Sequence, residues 1–385
     1  MLYLDCNATT PIEPEVLDLM VHYFRDEYGN AGSRSHLFGR NALTAVKAAR
    51  AQVGRAVAAD ADDVVFTSGA TEANNLALLG LEEFGKAQGR THIISTTVEH
   101  KAVLEPIKHL SARGFSVDLI SPDETGRVQA QHILEKVRSD TLVVSILHAN
   151  NETGVLQPVQ EIADGLAGSA VYLHVDGVQS LGKRDDALSH PRIDLVSLSA
   201  HKVYGPKGIG ALILRKRGFK RAPLRPLMFG GGQERGLRPG TVPVALAAGF
   251  GLACDIAIRD RATRERTNTV TRASLTAALQ GIDYTWNGDP ANVLPHVANL
   301  AFRGVDSEAL MVSLKEKMAF SNGAACTSQS YERSHVLRAM GLSEARISSS
   351  IRLSWSHFSS QVDWTPLAQA VQRLAASARG RNDPA

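Results

Sequence analysis

Six short apolar runs recur between residues 62 and 216, and amphipathic stretches such as 71–88 separate several of them. The runs are DDVVFTSG (62–69), THIISTT (91–97), TLVVSILHA (141–149), AVYLHVD (170–176), DLVSLSA (194–200) and GALILRK (210–216). A run that is apolar at successive positions has no solvent face, so it suits a strand covered on both sides. Such strands alternating with helices predict an α/β domain built on a mainly parallel central sheet. After residue 260 the pattern changes. RATRERTNTVTRASLTAALQG reads as a charged helix, HVANLAF and SSIRLSW as strands, and residues near 363–378 as a final helix. We therefore expect a large α/β domain over 15–260 and a smaller α+β domain formed by 1–14 and 261–385. The 385 residues suit such a division better than a single core.

Charge and cysteine usage exclude several functions. A formal net charge of +3, with no dense basic stripe interleaved with aromatics, gives no reason to expect nucleic-acid or membrane binding. The basic stretch RKRGFKRAPLR (215–225) reads as a solvated loop or a docking surface. The three cysteines, Cys6, Cys254 and Cys326, form no C-x-x-C pair, which disfavours a disulfide framework and a structural metal site. MLYLDCNATTP lacks a basic segment followed by an apolar one, and no apolar run approaches the ~20 residues a bilayer requires. A cytoplasmic protein is expected.

In open α/β sheets ligands sit beyond the carboxyl ends of the strands, so the polar residues after each run carry the functional question. FTSGATEANN places Ser68, Gly69, Ala70 and Thr71 where a strand becomes a helix, a geometry that can close on a phosphate. On its own it reads equally as a plain turn with Thr71 as N-cap. GGGQERG fails the G-x-G-x-x-G pattern and no G-x-x-x-x-G-K-[ST] occurs, so dinucleotides and nucleoside triphosphates lose ground. Asp176 follows an apolar strand, with Gln179 three residues on. It could cap the next helix or hold a cationic ring nitrogen. Lys202 leaves another strand in SLSAHKVYGPKG, flanked by Ser199 and His201. Beside a cofactor its pKa would fall and it could form a Schiff base, whereas Lys207 suits a surface turn. A phosphate cradle, a buried acid and a lysine at successive strand ends meet the requirements of pyridoxal 5′-phosphate.

The same stretches carry a family resemblance. YLDCNATTP, YGNAGSRSH, FTSGATEANN, TTVEHKAV, HANNETG, HVDGVQS, SAHKVYGPKGIGAL, GGGQERGLRPGTVP, NGAACTS and SSIRLS occur in family order from residue 3 to about 355. The chain resembles the cysteine desulfurases of the class V aminotransferase group, fold-type I pyridoxal-phosphate enzymes, in the longer-loop subgroup. The resemblance implies that Lys202 carries the cofactor and shuttles a proton, with Asp176 on the ring nitrogen and Gln179 on the ring hydroxyl. Asn151 would lie near that hydroxyl and the substrate carboxylate. His100 would stack on the ring and act as acid or base near the substrate sulfur. Ala70, Thr71, Ser199 and His201 would hold the phosphate, and Thr241 would reach the phosphate of a neighbouring subunit, implying a homodimer. Arg352 would clamp the substrate carboxylate. Cys326 would take the sulfur of L-cysteine as a persulfide, releasing L-alanine, and pass it to an acceptor protein. Cys6 reads as structural and Cys254 as a buried helix residue.

Asn322, Ala324, Pro239 and the pair Gly177-Val178 depart from common family residues without removing a reacting group. They bear on the choice of acceptor more than on the reaction. A selenocysteine lyase or another class V enzyme would share the cofactor residues. A sulfur-relay scaffold with little activity of its own is the rival of another class, and intact Lys202, Asp176 and Cys326 argue against it.

Overall fold

The computed structural model describes residues 1–184, 186–322, 333–359 and 361–379. Its centre is a seven-stranded sheet. In chain order the strands are β1 (Val64–Thr67), β2 (His92–Thr96), β3 (Ser116–Ile120), β4 (Thr141–Leu147), β5 (Tyr172–Asp176), β6 (Leu195–Ser199) and β7 (Gly210–Leu214). Across the sheet they run β1-β7-β6-β5-β4-β2-β3. β7 pairs antiparallel with both β1 and β6, and every other pairing is parallel.

Adjacent residues of the central strands enter opposite cores, because side chains alternate across a sheet. Phe66, Ile94, Val144 and Ile213 join helices α1 (Pro14–Arg25) and α2 (Leu37–Arg55) in one core. Val65, Ile93, Val143 and Leu212 join α3 (Ala70–Leu79) and α4 (Lys101–Ser111) in the other. Six strands therefore match the six apolar runs. The seventh, β3, lies at the sheet edge beside β2 and is only partly covered, with Asp118 in its middle. The 71–88 stretch is two helices rather than one, α3 and a short helix Glu82–Ala87. Between them the carbonyl of Gly80 accepts the Arg225 backbone N–H at 2.8 Å, and a Cβ on Gly80 would lie 3.0 Å from the Arg225 carbonyl oxygen.

Helix α5 (Val244–Ala278) runs unbroken through the change of composition near residue 260. Its first half buries Phe250 and Cys254 in the core of α1 and α2, and Leu275 enters a third core. That third core covers an antiparallel sheet of β8 (Tyr284–Trp286), β9 (Val297–Phe302) and β10 (Ser350–Ser354). Leu4 and helix α6 (Thr365–Arg379) complete it, with Trp355 and Trp364 edge to face. The extreme N-terminus thus packs with the C-terminal part of the chain. Among the described residues no helix is long and apolar enough to cross a membrane.

Candidate active site

A cavity of about 730 Å³ opens beyond the carboxyl ends of the parallel strands. It gathers Ala70, Thr71, His100, Asn151, Asp176, Gln179, Ser199, His201, Lys202 and Arg352. Thr241 is exposed and does not line it, and Cys326 lies outside the described residues.

Most of these side chains owe their placement to a strand end. Asp176 is the last residue of β5 and is 7% exposed. Its carboxylate accepts from Asn74 Nδ2 at 2.8 Å and from the Val178 backbone N–H at 3.1 Å. Ser199 ends β6, and residues 200–202 form a single 3-10 turn that lifts Lys202 into the cavity. The Lys202 amine donates to the carbonyls of Asn7, at 2.5 Å, and Ala8, at 2.7 Å. Burial, helped by the cations of Lys183 and Arg352, pulls its pKa down to about 7. His201 Nδ1 meets Thr9 Oγ1 at 3.1 Å, and burial with the charge of Lys202 holds its ring down at about 4.

His100 follows β2 and caps α4, its Nδ1 accepting the Ala102 backbone N–H at 3.1 Å. That bond requires a lone pair on Nδ1, so the neutral ring carries its proton on Nε2. His100 is exposed and lines the cavity. Desolvation lowers its pKa, Asp176 opposing this and Lys202 adding to it.

At the turn from β1 into α3, a Cβ built on Gly69 would meet nothing within 4 Å, whereas one on Gly210 would lie 2.8 Å from the backbone of Gly69. Gly210 thus lets β7 press the turn into place, and Gly69 leaves open space at the N-terminus of α3. Such a terminus favours an anion.

Arg352 is brought from β10, far away in sequence. Its Nη1 donates to the carbonyl of Asn151 at 3.0 Å and its Nη2 to Asp5 Oδ1 at 2.6 Å. Asn7, 1% exposed, is a hub that the strand-end reasoning missed. Besides Lys202, its carbonyl accepts from Gln179 Nε2 at 3.0 Å, and its Nδ2 donates to the Asn151 carbonyl at 3.0 Å. Its own backbone N–H donates to Ser354 Oγ at 2.9 Å. Asp5 and Asn74 were also missed. Asp5 and Asn7 stand in YLDCNATTP, and Asn74 reads in sequence as a polar position of an amphipathic helix.

Two further acids are fully enclosed near the site. Glu99 accepts from Thr96 Oγ1 at 2.7 Å and from the Leu147 backbone N–H at 3.0 Å, and desolvation raises its pKa to about 8. Glu152 accepts from Ser334 Oγ and is raised by burial to about 7.

The lining fits pyridoxal phosphate. Asn74 Oδ1, Gln179 Oε1 and Arg352 Nε are buried without a partner among the described residues, although polar atoms in a closed interior are normally satisfied. The cavity therefore offers unfilled donors and acceptors, an acid, an amine of lowered pKa and open space at a helix N-terminus.

The class-V aminotransferase family model matches residues 2–363. A cysteine desulfurase IscS of Anaeromyxobacter sp. (strain Fw109-5) is 44% identical over 94% of this chain and 89% of its own length. The crystal structure of DndA from Streptomyces lividans is 46% identical, with a TM-score of 0.80, over 91% of this chain and 98% of that one. The structure of SspA in complex with cysteine is 34% identical, with a TM-score of 0.81, over 92% of this chain and 98% of that one. The chain belongs to the class-V aminotransferase family, among its pyridoxal-phosphate-dependent cysteine desulfurases.

Proposed function

We propose that the chain removes the sulfur of L-cysteine, releases L-alanine and delivers the sulfur to an acceptor protein through Cys326. The observation that carries this reading is the convergence of Lys202, Asp176 and Arg352 on one cavity. The neighbour solved in complex with cysteine supports the choice of amino acid. Lys202 would hold the cofactor, Asp176 and Gln179 its ring, and Gly69 to Thr71 with Ser199 and His201 its phosphate. When bound, that group supplies an electron sink for the bonds at the substrate Cα.

The chain's own residues account for the remaining work. Arg352 orients the α-carboxylate with a planar, always charged fork. Lys202, pulled to a pKa of about 7, can both take and return a proton near neutrality. His100, with its proton on Nε2, can donate where the sulfur departs. The Cys326 thiolate attacks the substrate sulfur; a new S–S bond forms, the C–S bond breaks, and its electron pair stays with the carbon fragment that becomes alanine. Thr241, exposed in the single chain, suits the neighbouring cofactor site of a homodimer. The buried thiols of Cys6 and Cys254 suit a reducing, cytoplasmic setting. We read the chain as two domains, 15–260 and 1–14 with 261–385, which the place of Leu4 in the third core supports.

The test is alanine release from L-cysteine with a thiol reductant, comparing wild type with Cys326→Ala at equal cofactor content. Activity in the first and none in the second is the expected result. Equal activity in both would remove Cys326 from the reaction.

A further inference from the structure

Arg352 enters the cavity already engaged by a carboxylate. The residue is 7% exposed, and its guanidinium presents three edges. Nη2 donates to Asp5 Oδ1 at 2.6 Å, Nη1 donates to the Asn151 carbonyl at 3.0 Å, and Nε has no partner among the described residues. The Asp5 side chain is the more accessible member of the pair, 23% against 8%. Its backbone is pinned: its carbonyl accepts from the Ala8 N–H at 2.9 Å and from the Tyr3 hydroxyl at 3.1 Å. The side chain is therefore the part of Asp5 free to give way. Asp5 and Arg352 both line the cavity that holds Lys202.

We propose that Asp5 is a specificity-determining residue, an internal competitor for the substrate's α-carboxylate. This rests on the reading of Arg352 as the carboxylate clamp. Before substrate enters, Asp5 neutralises a buried cation that would otherwise be costly. An incoming carboxylate displaces it from Nη2 and gains the unpartnered Nε as well. A planar carboxylate bonded to two N–H groups holds more strongly than the single contact Asp5 makes. An anion that reaches only one N–H gains nothing over Asp5. The pair thus admits amino-acid carboxylates and turns away small anions, and it keeps carboxylate affinity below what Arg352 alone would give.

The test uses the holoenzyme with Asp5→Asn, which keeps the size and an acceptor for Nη2 while removing the charge. Propionate, a carboxylate without an amine, is titrated by calorimetry, and KM and kcat for L-cysteine are measured alongside. Propionate should bind about tenfold tighter, and KM should fall by more than kcat changes. If propionate binding weakens or stays the same at intact cofactor content, Asp5 only holds Arg352 in place and the proposal is wrong. Asp5→Ser serves for the same readouts if the first variant loses cofactor. Arg352→Gln separates the two readings. It should weaken propionate and cysteine alike, and wild-type values in that variant would instead overturn the clamp itself.

Discussion

The amine of Lys202 donates to the carbonyl oxygen of Asn7 across 2.5 Å, so an N-terminal segment holds the residue expected to carry the cofactor. The site holds that amine near neutrality at a cost to the folded chain. Its pKa falls from 10.5 to about 7, chiefly through burial. Below about 7 both folded and unfolded chains carry the charge, and the folded one bears the full penalty. Between about 7 and 10.5 the unfolded chain still holds a proton that the folded chain has released, so stability rises with pH across that window. Cofactor-free Lys202→Met should therefore melt higher than cofactor-free wild type near pH 7, with the gap closing toward pH 10. A gap that is constant with pH would show that the amine is not destabilised by charge.

Asn74 and Asp176 make a second pair to test. Asn74 is 1% exposed and its amide donates to Asp176 Oδ2 at 2.8 Å. Hydrogen bonds to buried charged groups are worth roughly 1.5–3 kcal/mol. Asn74→Ala should lower kcat/KM about ten- to a hundredfold and shift the absorbance of the bound cofactor, because among the described residues Asp176 then keeps the Val178 N–H alone. Asp176→Ala should cost more. If Asn74→Ala retains both the spectrum and the rate, Asn74 serves packing alone.

Why some of this was legible and some not follows from where each residue gets its neighbours. Val64–Thr67 and its five apolar counterparts declare themselves because both faces are covered, which leaves no polar alternation. Ser116–Ile120 is a strand by pairing with β2, and Asp118, paired with His92 at 3.2 Å, breaks the apolar run. Asp176 and Lys202 could be found from local pattern because Asp176 ends its strand and Lys202 lies one short turn beyond another. Arg352, Asp5 and Asn7 could not, since they reach the cavity through pairings such as Asp5 with Ser354 and Ser321 with Arg352. Family resemblance alone pointed to Arg352. Nothing local marks Glu99 as neutral, because its state depends on enclosure by β2, β4 and the segment at His335, whose Nε2 meets the Glu99 carbonyl at 3.0 Å.

Glu99 gives the opposite pH signature to Lys202. Burial raises its pKa from 4.5 to about 8, so the folded protein holds a proton that the unfolded chain has lost between those values. Its contribution is least unfavourable below pH 4.5, and stability declines as pH rises toward 8. Glu99→Gln keeps the acceptor for Thr96 and Leu147 and cannot ionise. Its stability advantage over wild type should grow from pH 5 to pH 8, reaching on the order of a few kcal/mol. Denaturant unfolding at three pH values would show it. An advantage that does not change with pH would mean the carboxyl is already ionised in the folded protein.

The three cysteines should separate by reactivity. Cys6 is 1% exposed and burial lifts its thiol to about 11, against the opposing pull of Lys183. Cys254 is 0% exposed within α5. The thiolate is the reactive form, so a buried thiol of high pKa is doubly protected. Native holoenzyme treated briefly with iodoacetamide at pH 8 should be modified at Cys326 and at neither other cysteine, while denatured protein should take up label at all three. Peptide mapping decides it. Fast labelling of Cys6 in the native protein would mean that its buried setting beside Asn7 in the chain opens on the timescale of the experiment. The hold of Asn7 on Lys202 would then be loose as well, and activity should fall in step with Cys6 modification.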